Sequence, residues 1–109
     1  MERLKIYISG KISGLALEVA EKNFEIAEQK IKEIGHIPVN PMKLHDYKPE
    51  LTWHDYMSAD LAALVYCDAI LMLENWEDSR GAKVEKALAE ALNLKVYLSP
   101  KNLSNGYNR

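Results

Sequence analysis

The stretch Leu4 to Ser9, LKIYIS, is a short apolar, partly β-branched run that stops at Gly10. A run of this length bounded by glycine fits a strand buried on both faces of a parallel sheet. Beyond it, Ala20, Phe24, Ala27, Ile31 and Ile34 recur at alternating spacings of four and three, which is one face of an amphipathic helix. Gly35 follows where a helix needs a left-handed residue to stop, and Ile37 to Asn40 reads as a second strand closed by Pro41. Strand, helix and strand joined this closely must run βαβ, with the strands parallel and the crossover right-handed.

The pattern continues to the C-terminal side. Residues 41–52, PMKLHDYKPELT, hold two prolines and no period, so they read as a long loop and a candidate lid. Thr52, with Asp55 three residues on, is a capping signature for a helix carrying Trp53, Met57, Leu61 and Leu64 inward. Ala69 to Leu73 reads as the third strand, ENWEDSRG as a loop, Gly81 to Leu92 as a third helix capped by Asn93, and Lys95 to Leu98 as a fourth strand. The tail KNLSNGYNR reads as polar and loose. The expected fold is one α/β domain over residues 1–109, a flavodoxin- or Rossmann-like doubly wound parallel sheet of about four strands in the order 2-1-3-4. In such a sheet ligands bind where the strand order reverses, beyond the carboxyl ends of the first and third strands. Those ends carry YISGKISG and ENWEDSRG, so the two loops converge on one crevice.

Composition narrows the partners. A chain of 109 residues with a formal charge of −2 lacks the basic stripe that polymeric nucleic acid requires. No run of 18 apolar residues occurs, and the apolar run in MERLKIYISG is too short for a signal peptide, so no membrane partner and a cytoplasmic location are expected. The one cysteine, Cys67, sits among Val65, Tyr66 and Ala69 and reads as a small core residue. His36, His45 and His54 are scattered without metal-ligand spacing, and no metal is assigned.

YISGKISG is not the phosphate loop of a nucleotide hydrolase, which needs G-x-x-x-x-G-K-[ST]. Here Lys11 follows the first glycine and only three residues separate Gly10 from Gly14. The carboxylates are more informative. Asp60 falls on the inward stripe with Trp53 and Met57, so it is either paired within the core or facing a cleft at its edge. Asp68 completes the turn before the third strand. Glu85 lies in the first two turns of the third helix, with Gly81 and Ala89 rather than a lysine at its four-residue neighbours. Two carboxylates at one crevice suggest glycosyl chemistry, in which one attacks the anomeric carbon and another group handles the leaving group's proton. Tyr7, at the end of the first strand, either holds the attacking carboxylate or packs.

The segments Y-I-S-G-K-I-S-G, C-D-A-I-L-M-L and N-W-E-D-S-R-G-A-K-V-E-K-A-L-A-E-A, with Asp60 in the helix between, resemble the nucleoside 2-deoxyribosyltransferase superfamily over essentially the whole chain. The likeness is closest to its small uncharacterised members, and the first loop is similar to that of the deoxyribonucleoside monophosphate N-glycosidases. The most specific piece is S-x-G-A-x-x-E, from Ser79 to Glu85. The resemblance implies that Glu85 is the nucleophile of a covalent 2-deoxyribosyl intermediate, that Tyr7 orients it and that Asp60 contacts or protonates the departing base. Ser9, Gly10, Ser79 and Gly81 would line the sugar or phosphate pocket, the Gly10 amide approaching the ligand closely. Where the nucleotide hydrolases carry an arginine for the 5′-phosphate this chain has Ser13, leaving Lys11 or Arg80 to supply the charge. Trp76 would either stack on a base or cover the core. No cofactor is implied. The partner is a nucleoside or nucleotide, and the family's shared pockets imply a homodimer or higher homo-oligomer to which the tail could contribute. The alternative is a non-catalytic nucleotide or nucleotide-signal binding module on the same fold, in which Glu85 hydrogen-bonds ribose hydroxyls.

Overall fold

The structure, a computed structural model, describes residues 2–44, 48 and 50–104. The described chain runs β1 (Lys5–Ser9), α1 (Leu17–Glu33), β2 (Ile37–Val39), α2 (Trp53–Leu64), β3 (Ala69–Met72), α3 (Arg80–Ala91), β4 (Lys95–Tyr97) and α4 (Pro100–Ser104). All strand pairs are parallel, in the order β2-β1-β3-β4. This is the doubly wound sheet expected from the sequence. β1 and β3 occupy the middle, and their burial on both faces explains the unbroken apolar runs.

The two-residue period of a strand then sorts the core. On one face Ile6, Ile8, Ala69 and Leu71 pack with Phe24, Ala27 and Ile31 of α1 and with Leu103 of α4. On the other, Tyr7, Ile70 and Met72 pack with Leu64, Ala82 and Ala89 of α2 and α3. Cys67 is buried in this second layer, and burial pushes its thiol up to about 11, so it behaves as a small apolar residue.

The helix ends follow from local chemistry. Thr52 accepts from the Asp55 amide at 3.1 Å while Asp55 accepts from the Thr52 amide at 2.8 Å, a complete capping box. Gly35 and Asn93, at φ of 89° and 61°, take the left-handed positions after α1 and α3. Asp68 accepts the Lys5 amide at 2.9 Å and so joins the turn to the start of β1. His36 is likewise a backbone partner, its Nδ1 accepting from the Leu4 amide at 3.1 Å.

Several boundaries and faces differ from expectation. α3 begins at Arg80, because the Ser79 hydroxyl caps it by accepting from the Ala82 amide at 3.0 Å. Ile34 is exposed and Glu28 is buried in its stead on α1. The tail is not loose throughout: Pro100–Ser104 forms a helical turn whose Leu103 is buried against the first layer. The segment after β2 opens with a 3-10 turn, Pro41–Lys43, in which Asn40 accepts from the Met42 amide. The lid expected over residues 41–52 falls partly on residues 45–47 and 49, outside the described residues, as does His45. Residues 105–109 of the tail, where its further contribution was expected, also lie outside them.

Glu28 is held by Asn40 Nδ2 at 2.9 Å and by Lys43 Nζ at 3.0 Å and Lys32 Nζ at 3.3 Å. Burial opposes its charge, but these donors outweigh it and hold the carboxyl below its ordinary 4.5. Its contribution to stability is therefore present above that value and lost as pH falls through the depressed one. Acid titration of folding should be steeper below about pH 4.5 for wild type than for Glu28→Gln, measured by thermal melts across pH. Equal slopes would show that the cluster contributes nothing.

Gly10 ends β1 where the chain passes against the end of β3. A Cβ there would lie 2.8 Å from Leu73 Cβ and 2.6 Å from its Cδ1, closer than packed carbons tolerate. Gly10→Ala is expected to cost about 1–3 kcal/mol through overpacking, read as a fall of roughly 5–20 °C in Tm. Adding Leu73→Ala should recover part of that loss. A melt unchanged by Gly10→Ala would remove the packing explanation.

Candidate active site

The site grows from the alternation along β1. Tyr7 and Ser9 share the face that looks toward α2 and α3, and both are fully buried. Facing them, the Ser79 cap starts α3 so that Glu85, in its second turn, turns inward. The Tyr7 hydroxyl donates to Glu85 Oε2 at 2.9 Å and the Ser9 hydroxyl donates to Oε1 at 2.6 Å. Each carboxylate oxygen thus has one fixed donor and keeps lone-pair capacity for another.

Glu85 is 5% exposed. Burial pushes its carboxyl up to about 7, and the neighbouring charge of Asp60 adds to the rise, while the bonds from Ser9 and Tyr7 pull the other way. A carboxyl that changes charge near neutrality, in a cleft and beside a second carboxylate, is a group suited to chemistry.

The cleft holds about 430 Å³ and opens beyond the carboxyl ends of β1 and β3, at the strand-order reversal where such sheets bind ligands. Glu85, Asp60, Ser79, Gly81 and Gly10 all line it. Asp60 comes from α2, on the stripe with Trp53 and Met57, and lines the cleft from there while itself largely buried. Phe24 and Pro41 close another wall. Gly81 permits the close approach of the two helices: a Cβ there would meet Met57 Sδ at 3.1 Å.

Three residues expected to touch ligand are placed otherwise. Lys11 does not line the cleft; its amide donates to Asn75 Oδ1 at 3.0 Å and its side-chain stem lies near Gly14. Trp76 packs against the α2–α3 layer, with Lys86 Nζ 5.2 Å from its ring centroid, so of its two readings the core-covering one fits. Ser9 is not at the cleft wall but is spent on Glu85. Gly10 does border the cleft, yet the contact that demands glycine there is Leu73.

Sequence reasoning passed over Trp53, Tyr56 and Asp78 as lining residues, whereas Arg80, expected as a possible charge for a phosphate, does border the cleft. The signal for Trp53 was present, since it shares the Asp60 stripe at seven residues' separation. Asp78 carried no such signal, because residues between the regular elements follow no period. Among the described residues no group of three or more His, Cys, Asp or Glu side chains is placed to hold a metal ion, and no helix is long and apolar enough to cross a membrane.

No curated protein matches the chain. A family model described as a domain of unknown function, DUF4406, matches residues 4–98, and the chain therefore belongs to the DUF4406 family.

Proposed function

We propose that the protein transfers or hydrolyses the N-glycosidic bond of a 2′-deoxyribonucleoside or its 5′-monophosphate, with Glu85 as the nucleophile. The observation that carries this reading is the buried Glu85 carboxylate, fixed by Tyr7 and Ser9 at the floor of a cleft that also presents Asp60. The sequence resemblance to nucleoside 2-deoxyribosyltransferases supports the same roles for Glu85, Tyr7 and Asp60.

In the first step a Glu85 oxygen bonds to C1′ as the C1′–N bond breaks, and the bonding pair leaves on the base nitrogen. Asp60, when protonated, or a water beside it, gives the departing base its proton. Water or a second base then attacks C1′ and gives its proton to the Asp60 carboxylate, and the ester electrons return to Glu85. The donors from Tyr7 and Ser9 hold the carboxylate in one rotamer, so attack needs little reorganisation. Ser79 and Gly81 at the start of α3 border the sugar. A homo-oligomer that completes each cleft belongs to the same reading.

One observation favours a second reading. With its carboxyl near 7, Glu85 is partly neutral at neutral pH, a form that binds a sugar hydroxyl without attacking it. The chain would then be a nucleotide-binding module. The test incubates the protein with a panel of deoxyribonucleosides, ribonucleosides and their monophosphates, follows base release by chromatography and weighs the intact protein for a sugar adduct. Base release with an adduct is expected. Saturable binding without either would establish the binding module instead.

A further inference from the structure

Two walls of the cleft are unlike. From α3, beyond Arg80 at its start, it receives Gly81, Ala82 and Glu85, which offer a carboxylate beside small residues and no flat surface. From α2 it receives Trp53, Met57 and Asp60, at spacings of four and three, spanning two turns or about 10 Å. An indole, a thioether and a carboxylate in one line make a surface for a planar, partly polar ring.

That surface is braced by its own neighbours. The Arg80 guanidinium lies over the Trp53 ring, Cζ 3.7 Å from its centroid, and His54 meets the same ring edge-on at 5.1 Å and 87°. Trp53 and Arg80 both line the cleft. Aromatic bases stack on indole and on guanidinium planes alike, and a ring system fixed before binding loses little freedom when the ligand arrives. Gly81 sets the distance to the chemistry. A Cβ at that position would stand 3.8 Å from Trp53 Nε1, and Gly81 precedes Glu85 by one helical turn, about 6 Å.

We propose that Trp53, with Arg80 stacked on it, is the surface that receives the base, so that α2 binds the leaving group while α3 and β1 act on the sugar. This assignment rests on the reading of the cleft as a nucleoside site. It gives Trp53 a specificity-determining role that sequence reasoning had offered to Trp76, and it makes Arg80 a stacking group first.

The test uses binding rather than turnover. The chain has two tryptophans, so its indole N–H resonances are assigned with Trp53→Phe and followed during titration with adenine, with 2-deoxyribose 5-phosphate and, on Glu85→Gln, with 2′-deoxyadenosine. Adenine and 2′-deoxyadenosine should move the Trp53 resonance saturably and 2-deoxyribose 5-phosphate should not. Trp53→Ala should weaken 2′-deoxyadenosine binding roughly 5- to 150-fold, with Trp53→Phe largely restoring it. Circular dichroism confirms that both variants fold. The proposal is overturned if the sugar phosphate moves Trp53 and adenine does not, if Trp53→Ala binds 2′-deoxyadenosine as wild type does, or if neither adenine nor 2′-deoxyadenosine binds. Base binding at Trp53 by a protein that releases no base would uphold this assignment while removing the glycosyl chemistry.

Discussion

Glu85→Gln is expected to lower base release by about 10⁴-fold or more while raising the melting temperature in mildly alkaline buffer. The first effect follows from the loss of the carboxylate that lines the cleft and is fixed by the donors of Tyr7 and Ser9. An amide cannot form the glycosyl ester, and no adduct should be seen by mass spectrometry. The second effect follows from burial. Because the folded carboxyl is raised from 4.5 to about 7, the native state binds the proton more tightly than the unfolded chain does. The associated stability is fully present below about pH 4.5 and is lost as pH rises through 7. At pH 8 the charged carboxylate therefore costs on the order of 3 kcal/mol, which glutamine removes while still accepting one hydroxyl and donating to the other. Wild-type kcat/KM should rise through pH 7 as the nucleophile ionises. A Glu85→Gln protein that still releases base, or one whose Tm advantage is the same at pH 4 and pH 8, would refute these assignments.

Asp60→Asn is expected to reduce kcat by roughly 10²- to 10⁴-fold, the range for a lost general acid. It should also move the acidic limb of the pH profile downward. Asp60 lies in the same cleft, and its charge helps hold the Glu85 carboxyl high. Removing that charge frees Glu85 to ionise at lower pH, while the departing base loses its proton source. These two consequences can be separated with a substrate whose base leaves without protonation, such as an N7-methylated purine deoxyribonucleoside. On that substrate Asp60→Asn should regain most of the wild-type rate yet keep the shifted limb. A uniform loss on both substrates would reduce Asp60 to a positioning residue, and an unshifted limb would show that its charge does not reach Glu85.

The sheet order was legible because buried parallel strands leave an apolar signature and each crossover here is short. The pairing of Tyr7 with Glu85 was one of two readings that topology left open and was singled out by a family resemblance, since no local pattern links positions 78 residues apart. Ser9 shows what parity can add. Standing two residues from Tyr7, it had to share the same face, and its hydroxyl supplies the shorter bond to the carboxylate. Glu28 hid behind the helix period, because a glutamate on the apolar stripe counts as a break until Asn40, Lys32 and Lys43 are seen around it. Which indole reaches the cleft was hidden for a related reason: Trp53 lines it from α2 while Trp76 packs against the core, and composition does not encode that placement.

The central position of β1 has a bearing on how copies of this chain could meet. β2 and β4 form the open borders of the sheet, each only three residues long, whereas both hydroxyls that grip the carboxylate hang from the interior. Sheet-to-sheet contact along either border would leave that grip undisturbed, so a partner needed to finish the cleft would have to approach from elsewhere.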